Sequence, residues 1–400
     1  MKTFRALRHR NYRLYFTGQL ISLIGSWMQV TAMMWLAFDL THESKWPAFL
    51  MVAMIGPTLV LGAWAGALAD RCRKHSLIVS TQIGFLLSAT ILTCLVYARV
   101  SDIGMLLVLM LGHGIIQAID LPTRLSFVPD LVERDDLRNA IALNSLQFNV
   151  ARAIGPALAG FALTTMGPAF CFLLNALSYV SVLVALGMMR DIPVRPPATQ
   201  RNENQSSWAV VRSNPYLFYL ILLAGWMSIT GWPLLALLPA FAEKMLTHSA
   251  GDYSSLLSSV GLGALLAALT TATYANEKRQ HLILFMGVVL VAGGLIGLSL
   301  ARELLAAGCC AGVYGYGMIL FFATGQGVVQ LGTKDEHRGK VMGIWAMMLG
   351  GGAPMGNLVL GPAADRWGVT TIIMVEAGAV LLAALLILLI LGLRWYRRSS

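Results

Sequence analysis

The chain contains twelve long apolar runs separated by short polar segments. A helix that crosses a membrane needs about 20 mostly apolar residues, because the hydrocarbon core is about 30 Å thick and a helix rises about 1.5 Å per residue. The runs are continuous rather than alternating, which favours helices over the strands of a membrane barrel. The predicted spans are 14–38, 47–68, 76–97, 104–121, 139–166, 169–189, 216–241, 254–274, 282–300, 304–328, 341–364 and 370–393.

Composition supports the same structural class. Of the 400 residues 57% are hydrophobic and only 12% are charged, whereas soluble domains are about 25% charged. We therefore predict an all-α protein embedded in a lipid bilayer. The first run follows a basic segment and lacks a small-residue cleavage site, so it is predicted to be a retained span rather than a signal peptide.

The net charge of +10 follows from the placement of the basic residues. With both termini in the cytoplasm, nearly all 29 Lys and Arg residues lie in cytoplasmic segments. The exceptions are Arg152, within a span, and five residues on the opposite side: Lys45, Arg99, Lys244, Arg302 and Arg366. This bias satisfies the positive-inside rule and predicts a multi-pass protein with cytoplasmic termini. It also removes the main argument for nucleic-acid binding.

A polar stretch divides the chain at its middle. Residues 191–213 are rich in Pro, Gln, Asn and Ser, as is typical of a linker. The segments 134–138 and 334–338 have the same order of charge signs and precede the fifth and eleventh spans. We therefore predict an N-terminal six-helix bundle at 1–190, a cytoplasmic linker at 191–213 and a repeated C-terminal bundle at 214–400.

The segment between the second and third spans, GALADRCRKH at 66–75, contains Gly66, Asp70, Arg71, Arg73 and Lys74. It resembles the loop signature of the major facilitator superfamily. Small residues allow close helix approach, an aspartate caps a helix or pairs with a cation, and basic residues anchor the loop in the cytoplasm. Arg73 replaces the glycine that is usual there, so the turn must form differently.

Residues 152–160 of the fifth span include Gly155 and Pro156 and are similar to an element of major facilitator antiporters, although Ala151 and Ala159 replace two of its glycines. A helix kink without influence on transport direction is the alternative interpretation. Segments 11–16, 120–124 and 139–145 resemble the drug-proton antiporter branch, which includes the enterobactin exporter and macrolide efflux proteins. The resemblance implies two six-helix bundles around a cavity that opens alternately to each side.

Polar residues within the spans are the candidate pathway residues, because an ionisable group in hydrocarbon costs about 2.5–3.5 kcal/mol unless it faces a partner or a cavity. In the fourth span, one helix face contains His113, Gln117, Asp120 and Arg124. A stripe on the first span contains Gln19 and Gln29. The resemblance implies that the first, fourth, seventh and tenth helices line the cavity.

The remaining candidates have competing interpretations. In the fifth span, Asn149 and Arg152 share a face. Arg152 either is a structural cation paired with Asp120 or with helix carbonyls, or faces the cavity and attracts an anionic group of the substrate. His113 either carries protons or is a hydrogen-bonded interhelical histidine. Pro233 is predicted to bend the seventh helix. The C-terminal cavity candidates are aromatic and amide residues: Trp226, Trp232, Tyr316, Gln326 and Gln330. Glu376 is predicted to be structural, since the twelfth helix usually packs outside the cavity.

The resemblance implies a proton-coupled exporter of a small amphiphilic siderophore, drug or metabolite, acting as a monomer in the bacterial inner membrane. A lysophospholipid flippase or an importer of the same fold is the alternative. An enzyme is not expected, because the sequence shows no nucleophile–base pair, metal cluster or phosphate loop. No cofactor is predicted.

Overall fold

The structure is a computed structural model that describes residues 2–190, 211–212, 214–246, 249–274, 280–333 and 337–399. Within these ranges the ordered backbone is helical and forms no strand. Most of the predicted linker at 191–213 and most of the segment 334–338 lie outside the described residues.

Twelve helical segments follow a short 3-10 helix, Lys2–Arg8, in the described chain. They are α1 (Arg10–Thr41), α2 (Lys45–Arg71), α3 (Lys74–Tyr97), α4 (Ile103–Leu131), α5 (Leu137–Met166), α6 (Pro168–Gly187), α7a and α7b (Pro215–Gly231 and Leu234–Met245), α8 (Ala250–Tyr274), α9 (Gln280–Leu300), α10 (Leu304–Leu331), α11 (Arg338–Trp367) and α12 (Val369–Ser399). Each predicted span corresponds to one segment, so the twelve-helix architecture is confirmed. α4 ends at Leu131 rather than at the predicted residue 121, which is the largest such extension among the twelve spans. The turns after residue 121 remain helical.

Short sequence signals determine where several helices begin. The side chain of Asp102 caps α4 by accepting a 2.9 Å hydrogen bond from the backbone N–H of Met105. Asn214 caps α7a by accepting from the N–H of Tyr216 at 3.1 Å. Pro168 and Pro215 occupy the first turns of α6 and α7a, where the missing N–H would have no helical partner.

The seventh segment is broken, which confirms the predicted bend at Pro233. α7a ends at Gly231 and α7b begins at Leu234, leaving Trp232 and Pro233 between them. Pro233 has no backbone N–H, so the carbonyl of Ile229 loses its usual helical donor. This segment therefore has an irregular backbone within the apolar part of the chain.

Nine helices of the described residues are long and apolar enough to cross a membrane. α5 and α11 are equally long but more polar, and α12 contributes a shorter apolar stretch, Val369–Leu385. The polar residues of α5 include Gln147 and Arg152, which are both buried in the protein. Burial shields them from lipid, so α5 spans the membrane with lower hydropathy.

The contacts divide the chain into two compact units. Unit 1 consists of Met1–His42, Phe49–Gln200 and Ser249–Ser258, and unit 2 of Glu43–Ala48, Arg201–His248 and Ser259–Ser400. Within unit 1, α1 packs on α5 and α6, and α3 packs on α4 and α6. Within unit 2, α9 packs on α10 and α12, and α7a packs on α11 and α12.

Both units contain a helical hairpin that turns on one glycine. Gly167 joins α5 to α6 with φ of 82°, and Gly368 joins α11 to α12 with φ of 89°. This left-handed region is strained for residues that have a Cβ atom. A glycine with positive φ at the corresponding position of each unit supports the predicted internal repeat.

Candidate functional site

A buried ion pair on α4 is the centre of the polar network in unit 1. Oδ2 of Asp120 lies 2.6 Å from Nε of Arg124, one helical turn away. Oδ1 of Asp120 accepts hydrogen bonds from Thr81 Oγ1 at 2.7 Å and from Gln82 Nε2 at 3.1 Å. The carboxylate is therefore compensated by one cation and two donors from α3, as a buried charge requires.

The two members of the pair differ in accessibility. The side chain of Asp120 is 0% exposed, whereas that of Arg124 is 23% exposed. Nη1 of Arg124 donates a 2.9 Å hydrogen bond to Oε1 of Gln19, which extends the network to α1. Arg124 is thus the accessible, positively charged end of an otherwise buried network.

A second set of hydrogen bonds joins α1 to α6. Nδ2 of Asn175 donates to Oε1 of Gln29 at 2.7 Å and to the hydroxyl of Tyr179 at 3.3 Å. The Tyr179 hydroxyl also lies 3.3 Å from Oγ of Ser26. The first of these bonds satisfies the amide oxygen of Gln29, which is 2% exposed.

His113 lies on the same face of α4 as the ion pair, as the spacing predicts. Its ring is 4.6 Å from the Phe85 ring, which stacks in turn on Tyr179 at 5.4 Å. The Nδ1 atom of His113 is buried and has no hydrogen-bond partner among the described residues. His113 therefore has one ring nitrogen that no described residue satisfies, and its role stays a prediction. Gln117, on the same face, is half-buried.

The two candidates on α5 are in different environments. Arg152 is 4% exposed. Asn149 is half-buried and donates a 2.8 Å hydrogen bond to the carbonyl of Ser145 on its own helix. This hydrogen bond stays within α5, so it does not link Asn149 to the network around Asp120.

Gly155 and the buried Pro156 occupy the part of α5 that faces α1. A Cβ atom added at Gly155 would lie 2.5 Å from Cβ of Trp27 and 3.0 Å from the carbonyl oxygen of Ile24. Only glycine therefore permits this separation between the helices. The expectation that this face packs closely against a neighbour is confirmed.

The loop motif between α2 and α3 is held mainly by Lys74. Its Nζ atom lies 2.8 Å from the carboxylate of Asp130 and donates to the carbonyl of Ser126 at 2.9 Å, both at the end of α4. Arg71 and Arg73 are exposed. Arg73 forms the turn in an extended conformation, so the missing glycine does not require a left-handed residue. The side chain of Asp70 lies outside the described part of the chain.

Gly66 of the loop motif shows no close packing among the described residues. A Cβ atom added there would meet none of their atoms within 4 Å. Gly66 therefore has room for a side chain, in contrast to Gly155.

The candidates in unit 2 are less buried than those in unit 1. Trp232, at the break in α7, is half-buried and stacks on Phe322 with ring centroids 6.1 Å apart. Gln326 and Gln330 on α10 are exposed. Both side chains are therefore more accessible than the buried Gln19 and Gln29 of unit 1.

Sequence reasoning missed the contributions of α3 and α6. Thr81, Gln82, Asn175 and Tyr179 complete the network, although neither helix was expected to line the pathway. A signal was present, because Gln82 and Asn175 are amides within apolar runs. Asp136 was also missed: it binds Arg5 and His9, each at 2.8 Å, and anchors the N-terminal segment at the start of α5.

The site offers binding chemistry rather than bond-breaking chemistry. A guanidinium group presents a planar fork of donors that matches carboxylate and other oxyanions. Arg124 is oriented by Asp120 and Gln19 and retains partial exposure. An anionic solute is the ligand that suits such a group.

The model of the transmembrane secretion effector family matches residues 1–398. The staphyloferrin A transporter of Staphylococcus aureus is 24% identical over 89% of this chain and 90% of its own length. The enterobactin exporter EntS of Escherichia coli K12 is 25% identical over 98% of this chain and 94% of its own length.

Solved structures show the same fold at low identity. A POT family transporter in complex with a thioalcohol-conjugated peptide superposes with a TM-score of 0.74 at 13% identity, covering 95% of this chain and 96% of that one. A mutant of the nucleoside transporter NupG has a TM-score of 0.72 at 15% identity, covering 94% and 98%. The present chain has the membrane helices and the fold of these transporters, and it matches the family model over nearly its full length. It therefore belongs to the transmembrane secretion effector family of the major facilitator superfamily and is a multi-pass membrane transporter, not an enzyme.

Proposed function

We propose that this transporter exports a small anionic iron-chelating molecule of the siderophore class and that inward proton movement drives the export. The observation that carries the proposal is the partly accessible Arg124, held by a fully buried Asp120. Siderophores bind ferric iron through hard oxygen donors, which are anionic when deprotonated. A fixed guanidinium group therefore matches their charge and geometry.

The relatives support the same substrate class. One is named as a transporter of staphyloferrin A and others as exporters of enterobactin. These matches extend over nearly the whole chain, so both units are covered. The identity is near 25%, at which the transported molecule can change while the fold persists.

The polar residues of unit 1 have distinct roles in this proposal. Arg124 contacts the anionic group of the substrate, Asp120 and Gln19 hold the guanidinium in place, and Gln82 holds the carboxylate of Asp120. Gln29, His113 and Gln117 line the same route, and Arg152 and Asn149 lie on α5. In unit 2, Trp232, Gln326 and Gln330 are the proposed pathway residues.

The proposed arrangement in the membrane follows the charge distribution. Residues 1–190 and 214–400 form six-helix bundles, and 191–213 connect them in the cytoplasm. Both termini are cytoplasmic, and the protein works as a monomer in the bacterial inner membrane. The motif residues Gly66, Asp70, Arg71, Arg73 and Lys74 lie on the cytoplasmic side and assist the change between conformations.

The test is uptake of enterobactin and staphyloferrin A into inside-out vesicles with an acidic interior. In such vesicles, export appears as uptake that depends on the pH gradient. We expect Arg124→Gln to lower this uptake about tenfold or more and Arg124→Lys to restore part of it, because lysine keeps the charge but lacks the planar fork. Arg134→Gln is the matched control, since Arg134 is exposed and lies in the same unit.

The outcomes separate this proposal from its alternative. Siderophore uptake that ceases when the gradient is collapsed supports export by proton exchange. Uptake of a lysophospholipid instead, with neither siderophore moving, would assign the chain to lipid translocation and overturn the proposal.

A further inference from the structure

Glu376 on α12 is a buried acid that the site in unit 1 does not use. The residue is 1% exposed, and neither carboxyl oxygen has a hydrogen-bond partner among the described residues. An ionised carboxylate without a partner is very unfavourable in an apolar interior. The neutral, protonated acid is therefore the form that fits this environment.

The position of Glu376 is next to the break in α7. Nε1 of Trp226 on α7a donates a 2.9 Å hydrogen bond to the carbonyl of Ala379, three residues after Glu376 on the same face of α12. α7a runs parallel to α11, since Gly225 lies against Met348 and Gly356 lies against Pro233. α12 returns from α11 at Gly368 and so runs antiparallel to α7a. Glu376 therefore reaches the level of Ile229, whose carbonyl lacks its helical donor.

A second unsatisfied polar side chain lies at this level. Asn357 on α11 is 1% exposed, and neither its Nδ2 nor its Oδ1 has a hydrogen-bond partner in the described chain. Its neighbour Gly356 faces Ile229 and Pro233, where an added Cβ would be 2.6 Å from the proline ring. A buried acid and a buried amide thus lie at the level of the break in α7, where Pro233 cannot donate to the carbonyl of Ile229.

The other titratable groups on the helices that pack against α12 lie near helix ends. In α7a and α7b they are Tyr216, Tyr219, Glu243 and Lys244. In α9 the group is His281, and in α11 they are Arg338, Lys340, Asp365 and Arg366. Among the described residues of these helices, the acids Glu243 and Asp365 both lie near helix ends, whereas Glu376 lies within α12 at the level of the break in α7.

We propose that Glu376 carries the coupling proton and that Asn357 and the broken part of α7 complete its site. This inference rests on the proposed proton-driven export. The carboxylate takes up one proton from one side of the membrane and releases it to the other, and no other bond changes. The neutral acid suits the buried site, whereas the ionised acid requires polar partners there, so protonation favours one arrangement of α7.

The first experiment detects the proton without any substrate. Infrared difference spectra between acidic and alkaline pH are recorded for the purified wild-type protein in lipid vesicles. We expect the C=O stretching band of a protonated carboxylic acid to disappear at alkaline pH. This band should be absent from Glu376→Gln and retained in Glu303→Gln, whose acid is exposed in the same unit. A Glu376→Gln spectrum that keeps the full wild-type band would overturn the assignment.

The second experiment separates substrate exchange from proton coupling. Enterobactin exchange between the two sides needs no net proton movement, whereas accumulation against a gradient does. We expect Glu376→Gln to keep exchange within about twofold and to lose gradient-driven accumulation by about tenfold or more. Glu376→Asp retains an ionisable group and should recover part of the accumulation. It also shows whether a loss arises from misfolding.

The two proposals fail in different ways. A wild-type protein that ignores the pH gradient contradicts proton-driven export. A wild-type protein that responds, together with a Glu376→Gln variant that accumulates enterobactin at the wild-type rate, leaves export intact and overturns the role of Glu376. Accumulation that follows a sodium gradient and not a pH gradient also overturns it.

Discussion

Oδ2 of Asp120 lies 2.6 Å from Nε of Arg124, one turn along α4, and the carboxylate is completely buried while the guanidinium is not. A buried anion therefore orients an accessible cation. Removing one partner of such a pair leaves the other charge uncompensated, at a cost of about 3–5 kcal/mol.

Asp120→Asn tests this dependence. The asparagine keeps an oxygen for Thr81 but loses the charge that holds Arg124, so we expect lower thermal stability in detergent and about tenfold or greater loss of substrate transport. Asp135→Asn is the control, because Asp135 is an exposed acid of the same unit. Equal transport by Asp120→Asn and wild type would contradict the role of the pair.

Lys74 and Asp130 offer a double-mutant cycle in the loop motif. Their atoms are 2.8 Å apart, with Asp130 6% exposed. We expect Lys74→Met and Asp130→Asn each to destabilise the protein and the double variant to lose less than the sum, with a coupling energy of about 1–3 kcal/mol. Strict additivity in detergent unfolding experiments would show that the two residues act independently.

Gly155 and Gly66 form a matched pair of glycines. Gly155→Ala places Cβ against Trp27, so we expect destabilisation of about 1–3 kcal/mol through overpacking. Gly66→Ala meets no atom and should leave the unfolding temperature nearly unchanged. The comparison is made by thermal unfolding in detergent, and equal stability of both variants would contradict the close contact of α1 and α5.

The ion pairs of Asp136 predict that the N-terminal 3-10 helix is held in place against α5. Because its carboxylate binds both Arg5 and His9, Asp136→Asn should release the 3-10 helix from α5. Hydrogen exchange is expected to become faster in residues 2–9 and to remain slow in α3. Unchanged exchange at 2–9 would show that other contacts hold the segment, such as the hydrogen bond from Ala6 N–H to Asn139.

Chemical labelling of the native Cys72 tests which side of the membrane the loop between α2 and α3 faces. It is exposed between α2 and α3, so in a variant where it is the only cysteine we expect a membrane-impermeant maleimide to label it from the cytoplasmic side. A cysteine at exposed Arg99 in an otherwise cysteine-free chain should label from the opposite side. Reversed labelling would contradict cytoplasmic termini.

The positions of the helices could be predicted because apolar length is a local property. Each run had to be helical and about 20 residues long to satisfy its backbone in lipid, whatever surrounded it. The shared face of His113, Asp120 and Arg124 was equally predictable, since it depends only on the helical repeat. The break at Pro233 follows from one missing N–H.

The partners of these residues depended on packing between helices. Periodicity along α4 does not indicate that Thr81 and Gln82 from α3 lie opposite Asp120, or that Gln19 lies opposite Arg124. Likewise, sequence position suggested a structural Glu376, and only burial of both its oxygens without a partner identifies it as unusual. Membrane span and helix face arise within one segment, whereas hydrogen-bond partners and burial arise between segments far apart in the chain, so tertiary packing alone decides them.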